Sequence, residues 1–164
     1  MAIEAGGQEW HCDAMRRRFF PHLCAALMAM GLLLPMTARA EILQIVTLGG
    51  TAHLFQVTLA DTPEKQARGL MHVKNLPPQN GMVFPMQPPR VARFWMRNTL
   101  IPLDMIFIKP GGTIAQIVTR RDTQSDTPTT SPEDVSGVLE LNAGEAARLK
   151  IGIGDKVIMP GVTF

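Results

Sequence analysis

Asp104 sits in the run Pro102-Leu103-Asp104-Met105-Ile106, a carboxylate with apolar neighbours on both sides. Burial there raises a carboxyl pKa unless a cation or hydrogen-bond donors offset it, and a perturbed carboxylate in a cleft serves as acid, base or ligand. The structural alternative is an Asp that holds a turn, bonded to backbone amides near Asn98 or paired with Arg97. Arg93, Trp95 and Arg97 form a second constellation. In strand alternation they share one face, opposite Ala92, Phe94 and Met96. An aromatic plate between two cations suits an anionic or sugar-like ligand, through stacking and charge-assisted hydrogen bonds. Asn98 and Thr99 follow at the rim of that site. The competing arrangement packs Trp95 beneath a helix, with the arginine stems lying over it.

Arg68-Gly69 closes a short helix, where Gly69 supplies a left-handed residue. Arg68 there neutralises the helix end or pairs with Asp104 or Glu140. Met71, Met82, Met86, Met96, Met105 and the more distant Met159, with His72 beside Met71, raise the option of a Cu(I) site. No tight Met-x-Met or His-x-Met repeat supports it, and methionine is an ordinary core filler. No metal site or cofactor is therefore expected. Ser125, Ser131 and Ser136 lack a G-x-S-x-G elbow, and no phosphate-cradling glycine loop with a Walker lysine is present.

The N-terminal 40 residues read as a leader. Arg16-Arg17-Arg18 gives a positive start, Leu23 through Leu34 an apolar run, and Ala38-Arg39-Ala40 a small-residue cleavage pattern. The apolar run is too short for a membrane span, which needs roughly 20 residues. Met15, just before the arginines, is an alternative start. The expectation is cleavage after Ala40 and release of residues 41–164, one domain, into the periplasm or beyond. Both cysteines, Cys12 and Cys24, fall in the leader, so the mature domain has neither disulfide nor thiolate chemistry. From Glu41 onward there are 12 Lys and Arg against 11 Asp and Glu. A balance of +1 gives no reason to expect nucleic-acid binding.

The elements that must position these residues are short. Ile42–Leu48 and Thr51–Leu59 flank Gly49-Gly50 as a hairpin. Thr62-Pro63-Glu64 starts a helix, with Thr62 as cap and Pro63 in first position, that runs to about Met71. Residues 75–87 read as a Pro- and Gly-punctuated loop containing the brief apolar segment Met82-Val83-Phe84. Val91–Arg97 reads as a strand, and Leu103–Ile108 as a central buried one. Thr113–Thr119 returns after a Lys109-Pro110-Gly111-Gly112 turn. Arg120–Ser136 is polar and reads as a long solvated loop. Val138–Leu141 is a short strand, Asn142-Ala143-Gly144-Glu145 a capping box for a second helix, and Lys156–Met159 the last strand. The class is mainly β: a mostly antiparallel sheet rolled into a partial barrel, with two short helices over its open ends.

The ordered motifs Arg68-Gly69-Leu70-Met71, Gly81-Met82-Val83-Phe84, Phe94-Trp95-Met96-Arg97-Asn98-Thr99, Ile101-Pro102-Leu103-Asp104 and Val138-Leu139-Glu140-Leu141 resemble the domain of unknown function 192 family across about Ile42 to Met159. These are small, often exported prokaryotic proteins. The resemblance implies a compact β-rich fold and no established reaction, cofactor or substrate.

Without a nucleophile–base pair or metal-ligand spacing, the reading is a non-catalytic envelope module. It would bind a small polar or anionic ligand, or an envelope protein, through Arg68, Arg93, Trp95, Arg97, Asn98 and Thr99. The alternatives are a hydrolase using Asp104 and a Met/His copper protein.

Overall fold

The computed structural model describes residues 40–164. Residues 1–39 of the expected leader, both cysteines among them, lie outside the described residues, while Ala40 and Glu41, which flank the expected cleavage point, are described. Among the described residues, seven strands form one mixed sheet that closes in a ring in the order β1-β2-β3-β6-β4-β5-β7. Strand β1 (Ala40–Val46) and strand β2 (Ala52–Leu59) make the expected hairpin, with Gly50 at φ 82° in the turn. Leu43, Ile45, Phe55 and Val57 point inward at the spacing of two that their sequence shows.

Helix α1 (Pro63–Arg68) starts as the sequence says: the Lys65 amide donates to Thr62 Oγ1 at 3.3 Å. It stops three residues earlier than expected. Gly69 turns the chain at φ 49°, and its amide donates to the Lys65 carbonyl. The connection carrying α1 joins β2 to β3 in parallel, Gln56 to Leu59 against Asn80 to Val83; every other pairing is antiparallel.

Strand β3 (Asn80–Phe94) and strand β6 (Thr129–Asn142) correct the sequence reading. The segment expected to be a loop up to Gln87, with a separate strand from Val91, is one 15-residue strand. The long polar loop expected from Arg120 to Ser136 shrinks to residues 121–128, and the rest is strand. Physically, the outer parts of β3 and β6 form a ribbon held by backbone pairing rather than burial. Arg90, Val91, Arg93 and Phe94 pair with Val135, Asp134, Thr130 and Thr129, while Thr130, Glu133 and Asp134 stay exposed. Pro88 and Pro89 fall in the register gap between Pro85 and Arg90, where no ladder amide is needed.

Strand β4 (Leu103–Lys109) is central, as its unbroken apolar run predicts. It pairs with β6 and with strand β5 (Thr113–Arg120), and Leu103 through Ile108 are all buried. Strand β7 (Lys156–Ile158) closes the ring. It pairs with β1 along three residues and with β5 only at Thr113–Lys156. One core fills the ring, with members from every strand. A second lies on the outer face of β3, β4 and β6 and includes Phe84, Met86, Met105, Phe107 and Val138, with Leu70 and Met96 packed over it.

Helix α2 (Glu145–Arg148) departs from the expected capping box. Gly144, at φ 87°, is its cap residue and no local side chain caps it. Asn142 instead donates from Nδ2 to the Leu76 carbonyl at 2.9 Å.

At Gly81 strands β3 and β6 approach closely. A Cβ there would stand 2.5 Å from the Glu140 carbonyl oxygen and 2.7 Å from Leu141 Cδ2. Backbone oxygen cannot yield as a flexible side chain can, so Gly81→Ala should cost about 1–3 kcal/mol in urea denaturation through overpacking.

Candidate functional site

The structure separates two buried carboxylates that the sequence presents alike. Asp104 is 1% exposed and fully engaged. Its Oδ1 accepts from Thr119 Oγ1 at 2.6 Å, and its Oδ2 accepts from the Ala146 amide at 3.0 Å. It thus ties β4 to β5 and supplies from a distance the cap that α2 lacks locally. Neither Asn98 nor Arg97 is its partner. Enclosure with both oxygens occupied leaves Asp104 no access to a reacting group and marks it as a structural carboxylate. Asp104→Ala should cost about 2–4 kcal/mol, since it strands a buried amide and a hydroxyl. Urea denaturation reads the loss, and amide exchange should quicken across 145–149.

Glu140, on β6, is the opposite case. It alternates with Leu139 and Leu141, which face the ring, so its side chain lies on the outer face with Val138. It is 4% exposed, and its carboxyl has no hydrogen-bond or ion-pair partner among the described residues. Burial alone pushes its pKa up, to about 8. The sequence reading named it only as a partner for Arg68, and no such pair forms.

Glu140 lines a pocket of about 220 Å³ between α1 and the outer half of β3. Leu70, Phe84, Met86 and Phe94 give the pocket apolar walls; Arg68, Arg90, Arg93, Trp95 and Thr99 also border it. Gln66 fixes α1 over β3 by donating from Nε2 to the Ala60 and Pro85 carbonyls, at 3.1 and 3.0 Å. The segments after α1 and after β3 are stitched by the His72 amide on the Asn98 carbonyl at 2.9 Å.

Four of the six sequence-predicted binding residues, Arg68, Arg93, Trp95 and Thr99, therefore border one pocket. Trp95 is 46% exposed and does not lie beneath α1. Arg97 stands over its ring, 4.5 Å from guanidinium carbon to centroid, and donates from Nε to Asp126 Oδ1 at 2.6 Å. That pair borders a separate groove with Arg93, Trp95 and Pro128, so Arg97 is next to the pocket rather than in it. Asn98 is a turn residue at φ 55°, its Nδ2 contacting Met71 Sδ at 3.9 Å. Arg68, Arg90 and Arg93 make no ion pair among the described residues. The sequence reading missed Arg90, which falls between the loop ending at Gln87 and the strand starting at Val91.

The loop 121–128 is organised by Arg120. It donates from Nε and Nη2 to both oxygens of Asp122, at 2.8 and 2.6 Å, and from Nη1 to the Thr127 carbonyl at 3.0 Å. The guanidinium holds the Asp122 carboxyl well below the usual carboxylate range. Met96 and Met105 are core residues with no exposure, and Met159 packs in the ring interior away from them. His72 is exposed, and among the described residues no three His, Cys, Asp or Glu side chains cluster as metal ligands.

The fold is that of a small, mostly β domain with two short helices. The chain belongs to the DUF192 family, described as Uncharacterized ACR, whose profile matches residues 44–159. A Sinorhizobium meliloti 1021 protein, provisionally described as a transcription regulator, is similar in structure at TM-score 0.72 and 38% identity, covering 74% of this chain and 95% of that one. A Novosphingobium aromaticivorans DSM 12444 protein of unknown function matches at TM-score 0.71 and 38% identity, covering 76% and 89%. No curated protein matches the sequence.

The Glu140 shift has a sign. Its folded pKa of about 8 lies above its ordinary 4.5. The folded state is therefore favoured fully below about pH 4.5, and that advantage is lost as pH rises towards 8. Between about pH 5 and 8 the protein should lose roughly 3 kcal/mol more than Glu140→Gln does, measured by urea denaturation at each pH.

Proposed function

We propose that the domain is an exported, non-catalytic binding module that takes a small anionic ligand in the pocket between α1 and β3. The observation that carries this reading is the convergence of Arg68, Arg90 and Arg93, all without ion-pair partners among the described residues, on one pocket beside the half-exposed Trp95. Unpaired guanidiniums offer forked donors to a carboxylate, sulfonate or phosphate, and the indole gives a plate for a sugar or aliphatic face. The enclosure of Asp104 removes the support for a hydrolase built on it. The regulator description of the Sinorhizobium protein suggests DNA, but a balance of 12 basic to 11 acidic residues from Glu41 onward does not favour that reading.

Export rests on the tripartite segment that ends at Ala40. No helix among the described residues is long and apolar enough to cross a membrane. Cell fractionation with mass spectrometry should find the protein in the envelope or medium, starting at Glu41. An intact chain in the cytoplasm would overturn export.

A thermal-shift panel of small carboxylates, sulfonates, phosphates and uronic acids tests the pocket. A ligand at about 100 times its Kd should add roughly 2.7 kcal/mol, a shift of several degrees. Arg68→Ala, Arg93→Ala and Trp95→Ala should each abolish it in folded protein. Silence across the anions, or a shift indifferent to these substitutions, would sink the assignment.

A further inference from the structure

The pocket has two chemically different ends. Arginines stand at its border, and Glu140 stands in it as a carboxyl nine-tenths buried with no partner among the described residues. The side chains around them, Leu70, Phe84, Met86 and Phe94, are apolar. The other polar groups there are spoken for: Gln66 donates to two backbone carbonyls and Thr99 Oγ1 to the Arg97 carbonyl. A carboxyl buried among apolar side chains with nothing to bond costs folding free energy. Its neighbours on β3 and β4, Met82 and Met105, show that an apolar side chain fits this part of the sheet. The group is satisfied only by something that enters the pocket.

Resting on the anion pocket assigned above, we propose that Glu140 is the ligand's second contact and that the ligand is a small ω-amino acid: a carboxylate held by the arginines, a protonated amine on Glu140, and a methylene chain between them. The charged groups bordering the pocket with Glu140 are Arg68 from α1 and Arg90 and Arg93 from β3; no second carboxylate lines it. A lone cation is repelled by this border, and a lone anion leaves Glu140 unmet. A hydroxyl would bond the carboxyl, but an ammonium adds an ion pair that offsets the carboxylate's desolvation. An α-amino acid carries both charges at one carbon, whereas the exposed arginines of the rim and the buried Glu140 call for charges set apart. The cavity, about 220 Å³, is smaller than drug-sized sites of roughly 300–1,000 Å³, which limits the ligand to a short chain. The elevated Glu140 pKa adds a linked property: binding the amine ionises the acid and releases a proton.

Isothermal titration of the purified protein near neutral pH with 6-aminohexanoate, hexanoate and hexylamine tests this. The expected result is 6-aminohexanoate tighter than hexanoate by about tenfold or more. Hexylamine should be weakest, and the heat should change between buffers of different ionisation enthalpy, which reports the released proton. Glu140→Gln should bring 6-aminohexanoate and hexanoate to within about threefold of each other. Glu140→Met, chosen to match its methionine neighbours, provides a second folded variant for the same comparison. Equal binding of the two acids by the unaltered protein, or a preference that persists in both variants, overturns the ω-amino acid assignment while leaving the anion pocket standing. Binding of neither acid overturns both.

Discussion

Strand β6 is hydrogen-bonded along both edges, to β3 on one side and β4 on the other, and the site depends on that double pairing. The close approach at Gly81, where only a hydrogen fits against the Glu140 carbonyl, sets how near β3 can come. It also fixes which face Glu140 presents, because a one-residue slip would turn the carboxyl into the ring and a leucine into the pocket. The ionisable group is held by register, not by any bond of its own side chain.

The same sheet gives its two buried acids different lives. Asp104 faces the ring side, meets a hydroxyl and a helix amide, and is spent on architecture. Glu140 faces outward beneath α1 and the segment after β3, where apolar side chains surround it and no donor among the described residues reaches it. What separates a structural carboxylate from a chemically available one is the number of donors each meets, which follows from tertiary position rather than from flanking residues.

This sets what was legible in the sequence. The Thr62-Pro63 helix start, the Gly49-Gly50 hairpin and the unbroken apolar run of β4 are local signals, and each appears as read. The alternation of Arg93, Trp95 and Arg97 against Ala92 and Met96 was legible too, and it persists past the end of β3. The polar ribbon of β3 and β6 was not, because its strands are solvated and carry prolines, so composition imitates a loop. Nor was the cap of α2, which comes from residue 104, far along the chain. Asp104 and Glu140 sit in equally apolar runs, and a reading by neighbours picked the one whose lone pairs were already taken.

The seam of the ring has a kinetic meaning. The barrel-like closure joins β1, at the start of the domain, to β7, near its end, through only three paired residues. Contacts this distant in sequence form late, because the intervening chain must first give up its loop entropy. A nascent chain lacking its last ten residues has every other strand but no way to shut the ring. The open sheet β1-β2-β3-β6-β4-β5 can therefore pair first, and the short seam is the step that turns it into a ring.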